Sequence, residues 1–216
     1  MNVDLIARAE TFLKDTFAAS PCLSARPTDR EYRLEHSYRV ANIAKDIAEA
    51  EGFDVTHAVI AGLLHDIAYC EEMQTREDKI DHGRRSAAIA KPFLESLGLS
   101  ADAVNEICYG IAIHVDDQAD FEWKRTPFCE TVGDADNIDR FDVYRIYESL
   151  QFIQFREMQL TEKRSRVDSI IDKLTQYKEI KLGTETATKL WIERLDYQLG
   201  FYAKMKAQLE NSTSII

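Results

Sequence analysis

The sequence lacks the long apolar runs and paired cysteines that mark membrane-spanning and disulfide-linked proteins. No apolar stretch approaches the roughly 18 residues needed to cross a bilayer. Residues 1–10 carry acidic side chains and contain no apolar segment of the kind found in signal peptides. The four cysteines stand singly, so neither a zinc knuckle nor a disulfide framework is indicated. We therefore expect a soluble, unsecreted protein of the reducing cytoplasm that has no membrane partner.

Proline and glycine are also scarce, with four and eight residues among 216. They mark no linker, and the chain shows no low-complexity run and no repeat of fixed period. With 45% hydrophobic residues, the chain is long enough to bury one substantial core. We therefore expect a single domain over residues 1–216.

Basic residues are outnumbered, since the chain has 27 lysines and arginines and 38 aspartates and glutamates, which gives a formal net charge of −11. Non-specific binding to nucleic-acid backbones needs clustered lysine and arginine, so we predict none. The charge says little about small substrates, because a local cationic pocket or a bound metal can receive a phosphate on an acidic protein.

No sustained alternation of polar and apolar residues demands a strand, and nearly every periodic segment is helical in character. The sequence therefore predicts an all-α bundle. Helices are predicted over residues 3–19, 32–51, 55–69, 82–97 with Asp81 as cap, 100–114, from Pro127 onward, 141–163 and 184–210. Loops are predicted over residues 22–30, 71–80 and 116–125.

The adjacent pair His65-Asp66 lies in one of the most apolar runs of the chain. Residues 58–67 offer almost no polar face, which indicates a helix buried on all sides. Burying an imidazole and a carboxylate there costs several kcal/mol if nothing satisfies them. A bound metal cation is the simplest compensation, because both groups are ligands for divalent transition metals.

Four other predicted helices each continue an apolar stripe into a metal-ligating side chain. These side chains are His36, His82, His114 and Asp134. Taken singly, a histidine on an apolar face is more often a hydrogen-bonded core residue than a ligand. Together, four imidazoles and two carboxylates are hard to satisfy in an all-helical core without metal. The pattern therefore predicts a metal site built from five helices.

The order of these residues resembles the HD-domain superfamily of metal-dependent phosphohydrolases, over about residues 32–140. The motifs are His36 in His-Ser-Tyr-Arg-Val, His65-Asp66 in Leu-Leu-His-Asp-Ile-Ala, and Asp134 in Gly-Asp-Ala-Asp-Asn-Ile-Asp. The resemblance implies that His36, His65, Asp66 and Asp134 bind one metal, and that Asp66 and Asp134 also orient the attacking water. It implies a helical bundle of the HD type with the metal site in its core.

The resemblance extends to the dinuclear branch of the superfamily through His82 and His114, which would bind a second metal with Asp66 as the bridge. The cofactor is therefore one or two divalent transition metal ions, and Mn, Fe, Co, Ni and Zn all suit the ligands. Within the single domain, residues 1–30 would form an N-terminal helix and loop, residues 31–140 the metal-binding core, and residues 141–216 helices that complete the core.

The chain departs from the superfamily after the His-Asp pair, where many members have a Gly-Lys that helps to hold phosphate. Here the chain continues Ile-Ala-Tyr-Cys. Arg39, Arg84 and Arg85 are candidate substrate-binding residues, because they lie close in sequence to His36 and His82 and guanidinium groups bind phosphate well. A solvated or purely structural role for each arginine stays open.

The leading hypothesis is a phosphohydrolase that acts on a small phosphate ester or anhydride, nucleotides included, through metal-activated water. One alternative is a dinuclear iron oxygenase, since such members of the superfamily share the same ligand order. The other is an HD domain that binds a nucleotide or partner without turnover. The expected partner is a small phosphorylated molecule, and the aromatic C-terminal half is compatible with a homo-oligomer surface as well as with a core.

Overall fold

The structure is a computed structural model that describes residues 1–215. Over these residues it contains ten α-helices, two 3-10 turns and no strand, which confirms the all-α prediction. The helices are α1 (Val3–Ala19), α2 (Pro21–Ser24), α3 (Pro27–Glu51), α4 (Val55–Leu64), α5 (Arg76–Ser96), α6 (Ala101–Ile113), α7 (Pro127–Arg140), α8 (Val143–Phe152), α9 (Leu160–Tyr177) and α10 (Glu185–Glu210). The 3-10 turns are Ile67–Cys70 and Phe155–Glu157. None of the helices described is both long enough and apolar enough to cross a membrane.

The chain divides into two compact units, Met1–Asp136 and Asn137–Ile216. In the first unit, α4 is packed by α1, α3, α5 and α6, and α5 lies against α6. Because almost every residue of α4 is buried, this helix forms the centre of the first unit, as its apolar sequence predicted. In the second unit, α9 packs along α10, and α8 also contacts α10. The single domain over residues 1–216 stays a prediction.

Several helix ends lie where the sequence placed them. The first helix has the predicted bounds, and α3 ends at Glu51 because Gly52 adopts a left-handed conformation with φ of 74°. Ser100 and Thr184 cap α6 and α10, each accepting a hydrogen bond from a backbone N–H three residues later. Short polar caps therefore fix the ends of these apolar helices.

Two of the predicted loops are wrong. Residues 22–30 contain part of α2 and the first turn of α3, because Pro21 and Pro27 occupy first helical positions, where the fixed φ of proline favours a helix. Residues 71–80 contain the start of α5, so Asp81 lies within the helix and does not cap it. The helix begins after Thr75, which forms a capping box with Asp78.

The prediction of one continuous helix over residues 141–163 is also wrong. It is divided into α8, a 3-10 turn and the first residues of α9. Gln154 has a φ of 52°, a left-handed backbone conformation that no α-helix can contain. The aromatic and apolar pattern of this stretch is helical on both sides of that residue, so hydrophobic periodicity alone does not show the break.

Gly62 allows α4 to cross α3 at close range. A Cβ atom at this position would lie 2.7 Å from the Cα atom and 2.9 Å from the backbone nitrogen of Ala41. We expect Gly62→Ala to lower the free energy of unfolding by about 1–3 kcal/mol, because backbone must move to admit the methyl group. Urea denaturation measures the change.

Gly200 is the matched control for this substitution. It lies inside α10, and a Cβ atom there would meet nothing within 4 Å. Gly200→Ala should therefore raise the free energy of unfolding by about 0.5–1 kcal/mol, since alanine has the higher helix propensity. Equal stability of the Gly62→Ala variant and the parent protein would contradict the close crossing.

Candidate metal centre

The His65-Asp66 pair lies at the end of α4 and not inside a helix running to residue 69, so that prediction was wrong. The last helical residue is Leu64, and Asp66 has φ of −105° and ψ of 13°, between the helix and the 3-10 turn. In a continuous helix, neighbouring side chains diverge by about 100°. The break lets both side chains reach the same place, with His65 Nε2 3.6 Å from Asp66 Oδ1.

His36 joins this pair from α3 and forms a first triad with His65 and Asp66. The Nε2 atoms of the two histidines are 3.2 Å apart, and His36 Nε2 is 3.6 Å from Asp66 Oδ2. The three potential ligand atoms lie within 4.8 Å of one another, and all three side chains are buried. This first triad could hold one metal ion.

A second triad consists of Asp66, His82 from α5 and His114 at the end of α6. Asp66 Oδ1 is 2.9 Å from His82 Nε2 and 3.7 Å from His114 Nε2. The ligand atoms of this triad also lie within 4.8 Å of one another. The Asp66 carboxylate therefore belongs to both triads. The two triads contain five of the six side chains that the sequence singled out, His36, His65, Asp66, His82 and His114.

Three of the four imidazoles are oriented by the backbone of their own helix. In each, Nδ1 donates to the carbonyl oxygen three residues earlier: His65 to Gly62 at 2.8 Å, His82 to Lys79 at 2.7 Å and His114 to Ile111 at 2.7 Å. A proton on Nδ1 leaves the lone pair on Nε2. The Nε2 atoms of His82 and His114 are 3.1 Å apart, so their lone pairs repel unless a proton or cation lies between them. The donor set therefore fits a metal ion.

The protonation states of the buried groups also suit cation binding. Burial lowers the pKa of His65 to about 4, which keeps this imidazole neutral at neutral pH. Burial opposes ionisation of Asp66, but the neighbouring His65, His114 and His82 hold the pKa of Asp66 well below its usual range. Burial also opposes charging of His82, yet the hydrogen bond to Asp66 raises the pKa of His82. A metal ion would displace that proton.

Asp136 on α7 contacts the cluster, since its Oδ1 is 3.2 Å from His36 Nε2. Gly133, one turn earlier on the same face, packs against His114, since a Cβ there would lie 3.4 Å from His114 Cα. The predicted ligand Asp134 is also buried. It precedes Asp136 by two residues, about 200° around the helix, so the two side chains leave α7 on nearly opposite faces. The ligand role of Asp134 stays a prediction.

Arg33 is a residue at the cluster that sequence reasoning missed. Its Nη1 atom lies 2.8 Å from Asp66 Oδ2, and its guanidinium carbon lies 3.4 Å from the centre of the Tyr69 ring. Its side chain is 25% exposed, so part of the guanidinium group can be reached from solvent. The sequence feature that could have revealed it is its spacing, because Arg33 precedes His36 by three residues and such residues share a helix face.

The arginines that the sequence proposed for phosphate make other contacts. Arg84 donates to Asp81 at 2.6 Å and to both carboxylate oxygens of Asp116 at 2.8 and 2.9 Å. Arg85 pairs with Glu71 and Asp78, both N-terminal to it. Arg39 Nη1 lies 3.9 Å from a carboxylate oxygen of Glu35 on its own helix. The substrate-binding role of these three arginines stays a prediction.

Comparison with known proteins identifies the family of the chain. The family model for the HD domain matches residues 33–144, more than half of the chain and the whole stretch that carries the two triads. The crystal structure of a predicted HD superfamily hydrolase from an uncultured Thermotogales bacterium is similar over 96% of this chain and 99% of that one. The TM-score is 0.63 at 22% identity, so this likeness concerns the fold. No curated protein matches the chain. From the match over residues 33–144, the chain belongs to the HD-domain family.

Proposed function

We propose that the protein is a metal-dependent phosphohydrolase of the cytoplasm that acts on a small phosphate ester or anhydride, nucleotides included. The observation that carries the proposal is the Asp66 carboxylate, shared by two buried triads in a chain of the HD-domain family. A divalent transition metal held by these triads would lower the pKa of a bound water towards neutrality and polarise a phosphoryl oxygen. The four free thiols support a reducing compartment.

Two sets of residues would each hold one cation. We propose Asp136 as the ligand from α7 in place of Asp134, because Asp136 Oδ1 is 3.2 Å from His36 Nε2. His36, His65, Asp66 and Asp136 would then hold one cation, and Asp66, His82 and His114 a second. The hydrogen bonds from Nδ1 to backbone carbonyls fix the imidazoles before any cation arrives. This preorganisation lowers the cost of assembling the site. The side chains of both triads are almost fully buried, which strengthens the electrostatic interactions among their ligand atoms.

Arg33 is the residue best placed to bind the substrate phosphate. The Tyr69 ring supports one face of its guanidinium group, and the group reaches the edge of the cluster beside Asp66. A guanidinium group offers five N–H donors in a fixed plane, so Arg33 can bond to Asp66 and still present donors to phosphate oxygens. It would supply the charge that the missing Gly-Lys supplies in other members of the superfamily.

We expect Arg33→Gln to lower kcat/KM for a phosphorylated substrate by about 10- to 100-fold, the size of one or two charge-assisted hydrogen bonds. The metal content should stay that of the parent protein. Arg85→Gln is the matched control, and it should leave kcat/KM within about twofold because Arg85 pairs with Glu71 and Asp78. Normal kinetics of Arg33→Gln, together with impairment of Arg39→Gln, Arg84→Gln or Arg85→Gln, would assign the phosphate to the arginines proposed from the sequence.

The function is tested by metal analysis followed by a substrate panel. The purified protein is analysed for bound elements and their stoichiometry. It is then assayed for release of inorganic phosphate from nucleotides and sugar phosphates with Mn, Fe, Co, Ni or Zn. The proposal expects release that depends on the metal and disappears with a chelator. Nucleotide binding by the metal-loaded protein without phosphate release from any substrate would favour a binding domain.

The second triad favours one competing chemistry, because a dinuclear centre is also what an iron oxygenase of this superfamily needs. The two chemistries differ in what they consume. Protein reconstituted anaerobically with iron is given oxygen and each candidate substrate, and both O₂ uptake and phosphate release are recorded. Substrate-dependent O₂ uptake without phosphate release would replace the hydrolase proposal with the oxygenase.

A further inference from the structure

The second unit contains a cavity of about 480 Å³ that is lined only by residues between 137 and 202. Its volume is in the range of small-molecule binding sites. None of its lining residues belongs to the two triads or contacts the phosphate in the proposed function. Three features of its lining indicate what the cavity binds.

The first feature is a pair of buried polar side chains on α10. Gln198 and Tyr202 are one helical turn apart, both line the cavity, and they are only 6% and 2% exposed. In the part of the chain that the structure describes, neither side chain makes a hydrogen bond to another residue. Burial raises the pKa of Tyr202, so its hydroxyl stays protonated and can donate. A buried amide and hydroxyl without protein partners cost stability unless a ligand or water satisfies them.

The second feature is a cluster of three aromatic rings, in which Phe141 lies edge-to-face against the other two. The ring centres of Phe141 and Trp191 are 4.8 Å apart, and those of Phe141 and Tyr177 are 5.5 Å apart. The indole of Trp191 is held in place, because its Nε1 donates to the carbonyl oxygen of Tyr177 at 3.0 Å. All three residues line the cavity. Fixed aromatic faces of this kind stack on planar heterocycles.

The third feature is a cluster of positive charge. Arg140, Arg145 and Lys173 line the cavity, and among its described lining residues none is acidic. This is unusual in a chain with a net charge of −11. Arg145 Nη1 forms an ion pair at 2.7 Å with the carboxylate of Glu148, three residues later on α8. Two guanidinium groups and one ammonium group on the same cavity suit a phosphate.

From these features we propose that the cavity of the second unit is a binding site for an adenine nucleotide. The heterocycle stacks on one ring of the cluster formed by Phe141, Tyr177 and Trp191 and meets the edges of the others. The Gln198 amide pairs with the N6 and N7 edge of adenine, the pairing that glutamine makes with this base elsewhere. The phosphate lies against Arg140, Arg145 and Lys173. This proposal goes beyond the hydrolase function, because it uses none of the residues assigned to the metal centre.

The test is titration of the full-length protein with AMP, adenosine and GMP by isothermal calorimetry. We expect AMP to bind, and adenosine and GMP to bind at least tenfold more weakly, since they lack the phosphate or the N6 donor. In Trp123→Phe, Trp191 is the only tryptophan, and AMP should change its fluorescence. Asp66→Asn, which removes a shared metal ligand, should bind AMP like the parent protein.

Two substitutions on α10 locate the bound nucleotide. Gln198→Leu should weaken AMP binding about tenfold, and Tyr202→Phe should weaken it by a smaller factor. Tyr197→Phe is the matched control, because it removes a hydroxyl from the same helix at a side chain that is 56% exposed. Circular dichroism and the urea midpoint verify folding. If Gln198→Leu fails to fold, Gln198→Glu replaces it, since glutamate keeps the shape but lacks the amide donor.

Three results would each overturn the proposal. The first is no detectable binding of AMP at about 1 mM, the weak end of measurable affinities. The second is unchanged AMP affinity in both the Gln198 and the Tyr202 variants. The third is loss of AMP binding in Asp66→Asn, which would place the nucleotide at the metal centre. That last result would leave the phosphohydrolase proposal intact, so the two proposals fail separately.

Discussion

Asp66→Asn is expected to remove both bound metal ions and to lower kcat/KM by on the order of 10³-fold or more. The Asp66 carboxylate is common to the two triads, with Oδ1 2.9 Å from His82 Nε2 and Oδ2 3.6 Å from His36 Nε2. Asparagine keeps the shape but is neutral and offers a single oxygen, so it cannot serve both sites. Loss of metal-derived stabilisation of the transition state costs several kcal/mol, and each 1.4 kcal/mol is about tenfold in rate.

The measurement combines element analysis of the purified variant with steady-state kinetics on the substrate found for the parent protein. His82→Ala provides a useful comparison, because it should lose the second metal and keep the first. Asp81→Asn is the matched control, since Asp81 is more exposed and pairs with Arg84 outside the triads. It should keep the metal content of the parent protein. Two equivalents of metal in Asp66→Asn would show that this carboxylate is not shared between the sites.

Hydrophobic periodicity was sufficient to predict the helices that bury a clear stripe. The bounds of α1, α6, α7 and α10 agree with the sequence to within a residue or so at the ends that were predicted. The starts of α3 and α5 were missed for one physical reason. Their first turns are polar and solvent-facing, so they carry no apolar stripe and resemble loops. Only local chemistry, Pro27 at a first helical position and the Thr75 capping box, distinguishes them.

The candidate site was predictable to the extent that each ligand extends an apolar stripe. This criterion found His36, His65, Asp66, His82 and His114, which the structure brings into two triads. It gave the wrong local structure for His65-Asp66, because a continuous apolar run does not show where a helix ends. It also overlooked Arg33, since an arginine on a helix is ordinarily a solvated residue. The three-residue spacing between Arg33 and His36 was the sequence feature that could have identified it.

Arg84 illustrates why closeness in sequence does not give closeness in space. It follows His82 by two residues, about 200° around α5, so its side chain leaves the helix on the far side from the imidazole. There it binds Asp116 and stabilises the chain that follows α6.

The inward face of a helix that is buried on several sides is hard to predict from its sequence. On α7, Val132, Asp134, Ala135, Asp136 and Ile138 are all buried, so the sequence pattern does not identify a single inward face.

That ambiguity is resolved by a pair of substitutions on α7. We expect Asp136→Asn to lose the metal of the first triad and to lower kcat/KM by about 100-fold or more, because it weakens a ligand group beside His36. We expect Asp134→Asn to keep the metal content of the parent protein and most of its activity. The two variants are closely matched, since both carboxylates are buried on the same helix and both changes are isosteric.

Metal stoichiometry and kcat/KM are measured on protein shown to be folded by its urea midpoint, so that a loss of stability is not mistaken for the loss of a ligand. The opposite pattern would establish Asp134 as the ligand, as the order of motifs in the sequence proposed. Equal losses in both variants would contradict a single carboxylate ligand from α7. They would indicate that the negative charge of the whole Asp134–Asp136 turn, and not one oxygen atom, holds the cation at His36.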